Sequence, residues 1–444
     1  MVSTTPEPAV LSVRIFGQAT AHEGSAGRKR SLVALAMMLC AVAFSGCGAQ
    51  STSKTSAGGG VTPPTVSMDN PLNAARETDD RAGRAERTSG SGGSGDAVAD
   101  LLDKIHAARA ASFPSDPEQA QAVRRQRNLD NVRMATDVLR LTVNDPTRAA
   151  QFREGISQLL DARFQLALNG TEEDVAQLYA DVQALNDRDP QSEFAADGIF
   201  CLARFAHTKA RLSGQENAVW FENFSRWSRE FAERFSDQKD RAVALLFGAA
   251  RSCELHAVSS AETNSSDRLM TEAKLCYALL AEKFPETAQG ADAVAVLRRL
   301  ALPGTVLQQF AGPTADGGYL NSDQFRDRPT VICFWDGVTT DFQARMKPAI
   351  LESAARFGDR LRIVSISLDE GHGSTENSVN PLPGEQIVFP SEDQKGWKHP
   401  LVRFWGISHS PSAWLIDADG RVVSVDVRAE ELAASIERLI DATP

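Results

Sequence analysis

The chain has 444 residues, with 47 Lys+Arg against 58 Asp+Glu and a formal charge of −11, which is too acidic for a nucleic-acid groove. At 42% hydrophobic and 24% charged residues it has the composition of a soluble globular protein of two or three domains, and collagen-like, coiled-coil and multi-spanning membrane classes are excluded. Its six cysteines, at positions 40, 47, 201, 253, 276 and 333, never fall within four residues of each other, so it contains neither a CxxC redox pair nor a CxxC-based zinc site.

A basic cluster, Arg28-Lys29-Arg30, precedes an apolar run from Ser31 to Phe44 and then Ser45-Gly46-Cys47. The run is about fourteen residues, against about twenty needed to cross the hydrocarbon core, so it reads as an export signal and not as a spanning helix. Phe44-Ser45-Gly46-Cys47 resembles the lipobox of bacterial lipoproteins, with Phe where Leu is usual. That resemblance implies cleavage before Cys47 and its lipidation, which places the protein outside the cytoplasm, anchored to a bacterial membrane; the alternative is plain secretion with cleavage near Gly48-Ala49. Residues 48–97 follow, rich in Gly, Ser, Thr, Ala, Pro and charge, as in Ser89-Gly-Ser-Gly-Gly-Ser-Gly95. Such a segment buries too little apolar area to offset its chain entropy and is expected to be a disordered spacer.

From 98 to 300, apolar residues recur at helical spacing, as in Phe152, Ile156, Leu159, Leu160, Phe164 and Leu166. Turn signals at Asp145-Pro146, Asp189-Pro190, Phe235-Ser236 and Phe284-Pro285 are 44, 46 and 49 residues apart (146 to 190, 190 to 236, 236 to 285). Each interval holds two helix-length segments, such as Ser192 to Ser213 and Ala218 to Phe235. The pattern predicts a helical-hairpin repeat domain whose units stack to bury their apolar stripes. The stretch after Phe284-Pro285 resembles junctions between tetratricopeptide-type units, without that family's Trp/Leu-Gly/Tyr signature. An aromatic stripe, Trp220, Phe221, Phe224, Trp227, Phe231 and Phe235, is read as core between hairpins, the alternative being a peptide groove. Cys201, Cys253 and Cys276 are read as small buried hydrophobes, with a Cys253–Cys276 disulfide left open. His207 and His256 lack ligand partners at i±4 and are read as structural.

After Thr305 short apolar runs alternate with helices, which signals an α/β sheet with parallel strands. Strands are predicted at Pro329–Trp335, Leu361–Leu368, Ala413–Ile416 and Arg421–Val427, the last two joined by the hairpin turn Asp417-Ala-Asp-Gly420. Helices are predicted from Thr339 to Phe357 and from Glu430 to Asp441. The fold class is therefore α + α/β, with a helical-hairpin array at 98–300 followed by an α/β domain at 301–444.

Over Pro303 to Ile440 this order resembles the thioredoxin-like superfamily, in particular exported thiol–disulfide oxidoreductases and redoxins. Three motifs carry the resemblance: Val331-Ile-Cys-Phe-Trp335, Ser365-Ile-Ser-Leu-Asp369, and Gly406-Ile-Ser-His-Ser-Pro-Ser-Ala-Trp-Leu-Ile-Asp417. The last aligns without a gap to the family's Gly-Val-x-Gly-Thr-Pro-Thr-x-Phe-Leu-Ile-Asp, so the resemblance implies that Pro411 is the cis-proline and that Ser410, Pro411 and His409 form the loop facing a peptide. It also implies a Cys-Pro-Pro-Cys pair at the start of the following helix, where one thiolate attacks a disulfide and the other resolves it. Here the sequence departs from the family. Counted from Phe334 the two cysteine positions hold Thr339 and Phe342; counted back from Pro348 they hold Thr340 and Gln343. Neither register contains sulfur.

Thr339, Thr340 and Asp341 are good capping or first-turn residues, so the helix start can persist without the nucleophile. The resemblance would bring His409 near Thr339 or Thr340, which permits a Thr–His hydrolytic pair, although no acidic partner is signalled. Cys333 lies inside an apolar strand and is expected to be inert. No cofactor or metal-ligand set is signalled. The expected function is a lipid-anchored, redox-inactive binding or scaffold protein with a protein or peptide partner; the alternative is a thiol–disulfide oxidoreductase or peroxidase using unconventional thiols.

Overall fold

The computed structural model describes residues 96–212, 218–260, 262–369 and 382–442. The export signal, Cys47 and most of the expected 48–97 spacer lie outside those residues. The first helix begins one residue ahead of the boundary expected from sequence, because Asp96 caps it: its carboxylate accepts a hydrogen bond from Val98 N at 3.1 Å.

The array comprises α1 (Ala97–Ala110), α2 (Pro117–Thr142), α3 (Ala149–Asn169), α4 (Glu172–Arg188), α5 (Glu193–Leu212), α6 (Ala218–Arg234), α7 (Lys239–Ser259), α8 (Thr263–Lys283) and α9 (Ala288–Leu300), each packing on its neighbours in sequence. The boundaries follow local chemistry. Asp116 caps α2 with Pro117 in its first turn, where the missing N–H costs nothing. Thr171 and Asp174 form a reciprocal capping box at α4, and Thr287 accepts from Gly290 N at 2.9 Å to start α9. Phe221, Phe224, Phe231 and Phe235 are buried, with Trp220 and Trp227 packed against them, so the aromatic stripe is core. Cys201, Cys253, Cys276 and Cys333 are buried free thiols. Cys276 Sγ lies 3.1 Å from Ser225 Oγ, and Cys253 Sγ donates to the Phe221 carbonyl.

The sheet domain contains β1 (Ala311–Pro313), β2 (Tyr319–Asn321), β3 (Thr330–Trp335), α10 (Lys347–Phe357), β4 (Arg362–Ser367), β5 (Glu385–Gln386), α11 (Pro400–Trp405), β6 (Ser412–Ile416), β7 (Val422–Ser424) and α12 (Ala429–Ala442). β1 and β2 form a separate hairpin; the main sheet has the order β5-β4-β3-β6-β7. β3 runs parallel to β4 and antiparallel to β6, and β7 is antiparallel to β6. In the β6–β7 turn the Asp417 carboxylate accepts from Asp419 N and Arg421 N, and Gly420 takes φ +80°, a conformation that favours glycine. Both sheet edges are covered. Gly304 N donates to Val422 O beside β7, while Ala315 N donates to Gln386 O beside β5, so neither edge is free to recruit a strand.

Alternation along β3 explains why its sequence is continuously apolar. Val331, Cys333 and Trp335 face a layer made by Met346, Ile350, Leu432 and Ile436 of α10, α12 and the turn ahead of α10. Ile332 and Phe334 face the opposite way, into a cluster with Trp414 and Trp405 that continues without a break into Leu280, Val296 and Leu300 of the array. One face of the sheet is therefore covered by its own helices, and the other shares its core with the array.

Candidate functional site

The end of β3 leads directly into a helix, the place where the family resemblance expects a pair of thiols. After Trp335 the chain turns at Asp336-Gly337-Val338. The Asp336 carboxylate accepts from Val338 N at 2.8 Å, and Gly337 N donates to Asp369 Oδ1, at the end of β4, at 3.0 Å. Burial, together with the facing Asp369 carboxylate, raises the Asp336 pKa above the ordinary carboxylate value. Helical backbone begins at Thr340, passes through one π-helical turn at Phe342–Met346, and continues as α10.

That π turn accounts for the two registers of the sequence. A π turn holds one more residue than an α turn, and it lies between the two landmarks Phe334 and Pro348 from which the cysteine positions were counted. In both counts the residues present serve the fold. Phe342 is 2% exposed and stacks on Trp335 with ring centroids 5.1 Å apart and planes at 17°. The Gln343 side-chain amide donates to the Gly337 carbonyl at 2.9 Å, closing the turn. The hydroxyls of Thr339 and Thr340 make no hydrogen bond among the described residues, so neither caps the helix; Thr340 and Asp341 stand in its first turn instead. The Gln343 amide and the Asp369 carboxylate hold the turn in its place.

The second half of the site is the 406–412 loop, in which the Ser410–Pro411 peptide bond is cis. Its His409 does not pair with either threonine. His409 Nε2 lies 3.2 Å from Asp426 Oδ1, and its Nδ1 lies 3.3 Å from Ser408 Oγ. This Ser–His–Asp succession is not an activated nucleophile, because Ser408 is buried and its hydroxyl donates to Glu254 Oε1 at 3.1 Å. The expected Thr–His pair fails because a buried carboxylate, brought in by the strand after the hairpin turn, takes the imidazole. Ser410 Oγ is inaccessible and has no hydrogen-bond partner among the described residues.

Around Asp426 lies the polar cluster that sequence reasoning missed. Arg299 of α9, with no side-chain exposure, pairs with Glu254 of α7 and donates from Nη1 to Asp426 Oδ2 at 2.8 Å. Tyr277 OH of α8 donates to Glu254 Oε2 at 2.7 Å, and Ser412 Oγ donates to Asp426 Oδ1 at 2.8 Å. Burial opposes ionisation of Glu254, but Arg299 and His409 outweigh it and hold its carboxyl below the usual range. Asp426 behaves in the same way, with burial offset by His409 and Arg299. A long sequence separation, 127 residues between Arg299 and Asp426, hides this cluster from any local pattern.

Cys333, in the middle of β3, has no exposure, and burial alone pushes its thiol far above the ordinary value. Burial of this kind disfavours the thiolate, the form that attacks a disulfide. Among the described residues no group of three or more His, Cys, Asp or Glu side chains is arranged to hold a metal ion, and no helix is long and apolar enough to cross a membrane.

No family model matches the chain, and no curated protein matches it. Solved structures do match. The thioredoxin domain of a thiol–disulfide oxidoreductase from Bacteroides vulgatus aligns at 18% identity and TM-score 0.27, covering 31% of this chain and 97% of that one. A secreted Mycobacterium tuberculosis disulfide oxidoreductase, homologous to Escherichia coli DsbE, aligns at 17% and 0.25, covering 30% and 96%. A thioredoxin-family thiol:disulfide interchange protein from Chlorobium tepidum aligns at 17% and 0.26, covering 31% and 96%. The thioredoxin-like character of the C-terminal domain is carried by its own geometry: the order β5-β4-β3-β6-β7, the helix springing from the end of β3, and the cis bond directly ahead of β6.

Proposed function

We propose that this protein is an exported, lipid-anchored binding or scaffolding protein, in which a redox-inactive thioredoxin-like domain and a helical array present surfaces to a protein or peptide partner. The observation that carries the reading is the Trp335–Phe342 stack. Where the relatives' chemistry needs a reactive thiol at a helix start, this chain has a buried aromatic ring in one register and a turn-closing amide in the other. The domain's sole sulfhydryl, Cys333, is sealed beneath the sheet. The anchor rests on the basic cluster, the apolar run and Phe44-Ser45-Gly46-Cys47.

An insulin-reduction assay and a peroxidase assay on the protein test this reading, each repeated with Cys333→Ser. The expected result is no turnover above the uncatalysed rate in either protein. Thiol-dependent turnover abolished by Cys333→Ser would overturn it in favour of an oxidoreductase working through an unconventional thiol.

A further inference from the structure

The 406–412 loop is partly covered: Ile407, Ser408 and Ser412 are buried, and Gly406 and His409 to Pro411 are half-buried. It is fastened to the array at several independent points. Arg298 donates from Nη1 to the Phe404 carbonyl at 2.5 Å, just ahead of the loop, and Arg251 donates to the Ser408 carbonyl within it. The Ser408 hydroxyl reaches Glu254, and the Glu254–Arg299–Asp426–His409 cluster ties the array to the segment just after β7. Gly406 adds a steric observation. With φ +58° it sits so close to α9 that a Cβ there would lie 2.4 Å from Val296 N. Backbone is thus packed on backbone beside the charge cluster.

A buried ion cluster of this kind adds little net stability compared with an apolar contact of the same size, but it tolerates no displacement, since separating the partners strands charge away from water. It therefore sets position more than strength. Glu254 and Arg299 belong to the array, while Asp426 and His409 belong to the sheet domain, so Arg299 meets both of its carboxylate partners only when the two halves are in this one arrangement.

We propose that this cluster is an autoinhibitory latch: the array is the resident occupant of the 406–412 loop, and the Ser408 backbone and the enclosed Ser410 hydroxyl become reachable by an outside chain only when the array lets go. The consequence for partner binding rests on the function proposed above, whereas the latch itself does not. A partner that uses this loop must displace Arg251 and Ser408 from one another before it can make backbone contacts of its own.

Chemical labelling tests the latch without a partner. Ser410→Cys in the full chain is treated with a thiol-reactive maleimide, with the parent chain as background, and the rate is compared in the otherwise unaltered protein, with Arg251→Ala, and with Arg299→Met. Hydrogen exchange across α3 and α4 is followed in parallel. The expected result is labelling at least about tenfold faster with Arg251→Ala and faster still with Arg299→Met, while α3 and α4 keep their protection. Equal rates in all three proteins would overturn the latch, as would acceleration seen only together with loss of protection in α3 and α4. Arg251→Ala keeps the test decisive if Arg299→Met unfolds the chain, because it removes one donor at the margin of the contact and leaves the buried charges matched. These outcomes do not depend on the insulin assay, so failure of the latch and failure of the redox-inactive reading are separately visible.

Discussion

Trp335 and Phe342, seven residues apart in sequence, stack at 5.1 Å across the turn that joins β3 to its helix. The contact places an aromatic ring beneath the surface at the point where one register of the sequence would hold a thiol. It also couples the π turn to the core, because Phe342 is the first residue of that turn and packs in the same cluster as Met346, its last.

Phe342→Ala is expected to cost about 3–5 kcal/mol, the usual range for deleting a buried phenylalanine ring. Thr339→Ala and Thr340→Ala should each stay within about 0.5 kcal/mol, since neither hydroxyl has a partner among the described residues. Urea unfolding of the three variants checks this, and a small loss for Phe342→Ala would mean that the ring is dispensable to the turn.

Two histidines, His399 buried and His207 half-buried, give a pH dependence of defined sign. Burial lowers His207, stacked on Phe224, and His399, whose Nδ1 accepts from Leu401 N, from 6.5 to about 4. Below pH 6.5 the unfolded chain takes up protons that the folded chain refuses, so stability is full above that pH and falls as pH drops toward 4. The slope is about 1.4 kcal/mol per pH unit for each histidine. His207→Phe keeps a ring on Phe224 and should flatten the decline in urea midpoint between pH 7 and pH 5. An unchanged decline would show that His207 does not contribute.

The thiols of the folded body should be silent. Burial raises Cys201 to about 12 and Cys276 to about 11, and it raises Cys253 and Cys333 as well. In a chain beginning at Gly48, Ellman's reagent at pH 8 is expected to find no reactive thiol in the native protein and all four in guanidinium. Rapid native labelling lost in Cys333→Ser would identify that residue as accessible after all.

For the anchor, Cys47→Ser should release the protein from membranes into the soluble fraction after high-salt extraction. Retention of the variant on membranes would refute lipidation at Cys47 as the cause of attachment.

Much of this protein was legible locally. The Pro- and Ser-marked turns at 146, 190, 236 and 285 separate helices whose caps are short-range chemistry, and Asp417-Ala-Asp-Gly420 announces its hairpin because its carboxylate and its glycine act within five residues. The β1–β2 hairpin and β5 were not legible, since strands of two or three residues are too short to show a period. Of the capping or first-turn roles that residue type allowed for Thr339, Thr340 and Asp341, the structure shows the first-turn role for Thr340 and Asp341.

The sequence by itself determined the helical array, the α/β order of the last third and the lack of sulfur at the helix start, because each depends on residue type at short spacing. Only the tertiary structure decided what His409 and the 406–412 loop do. Arg251 and Glu254, which hold the loop, and Arg299, which holds His409's partner Asp426, stand more than a hundred residues from the groups they meet, and they meet them because one face of the sheet completes its core against the array. A buried charge takes whichever opposite charge the packing brings to it, and no local pattern carries that information.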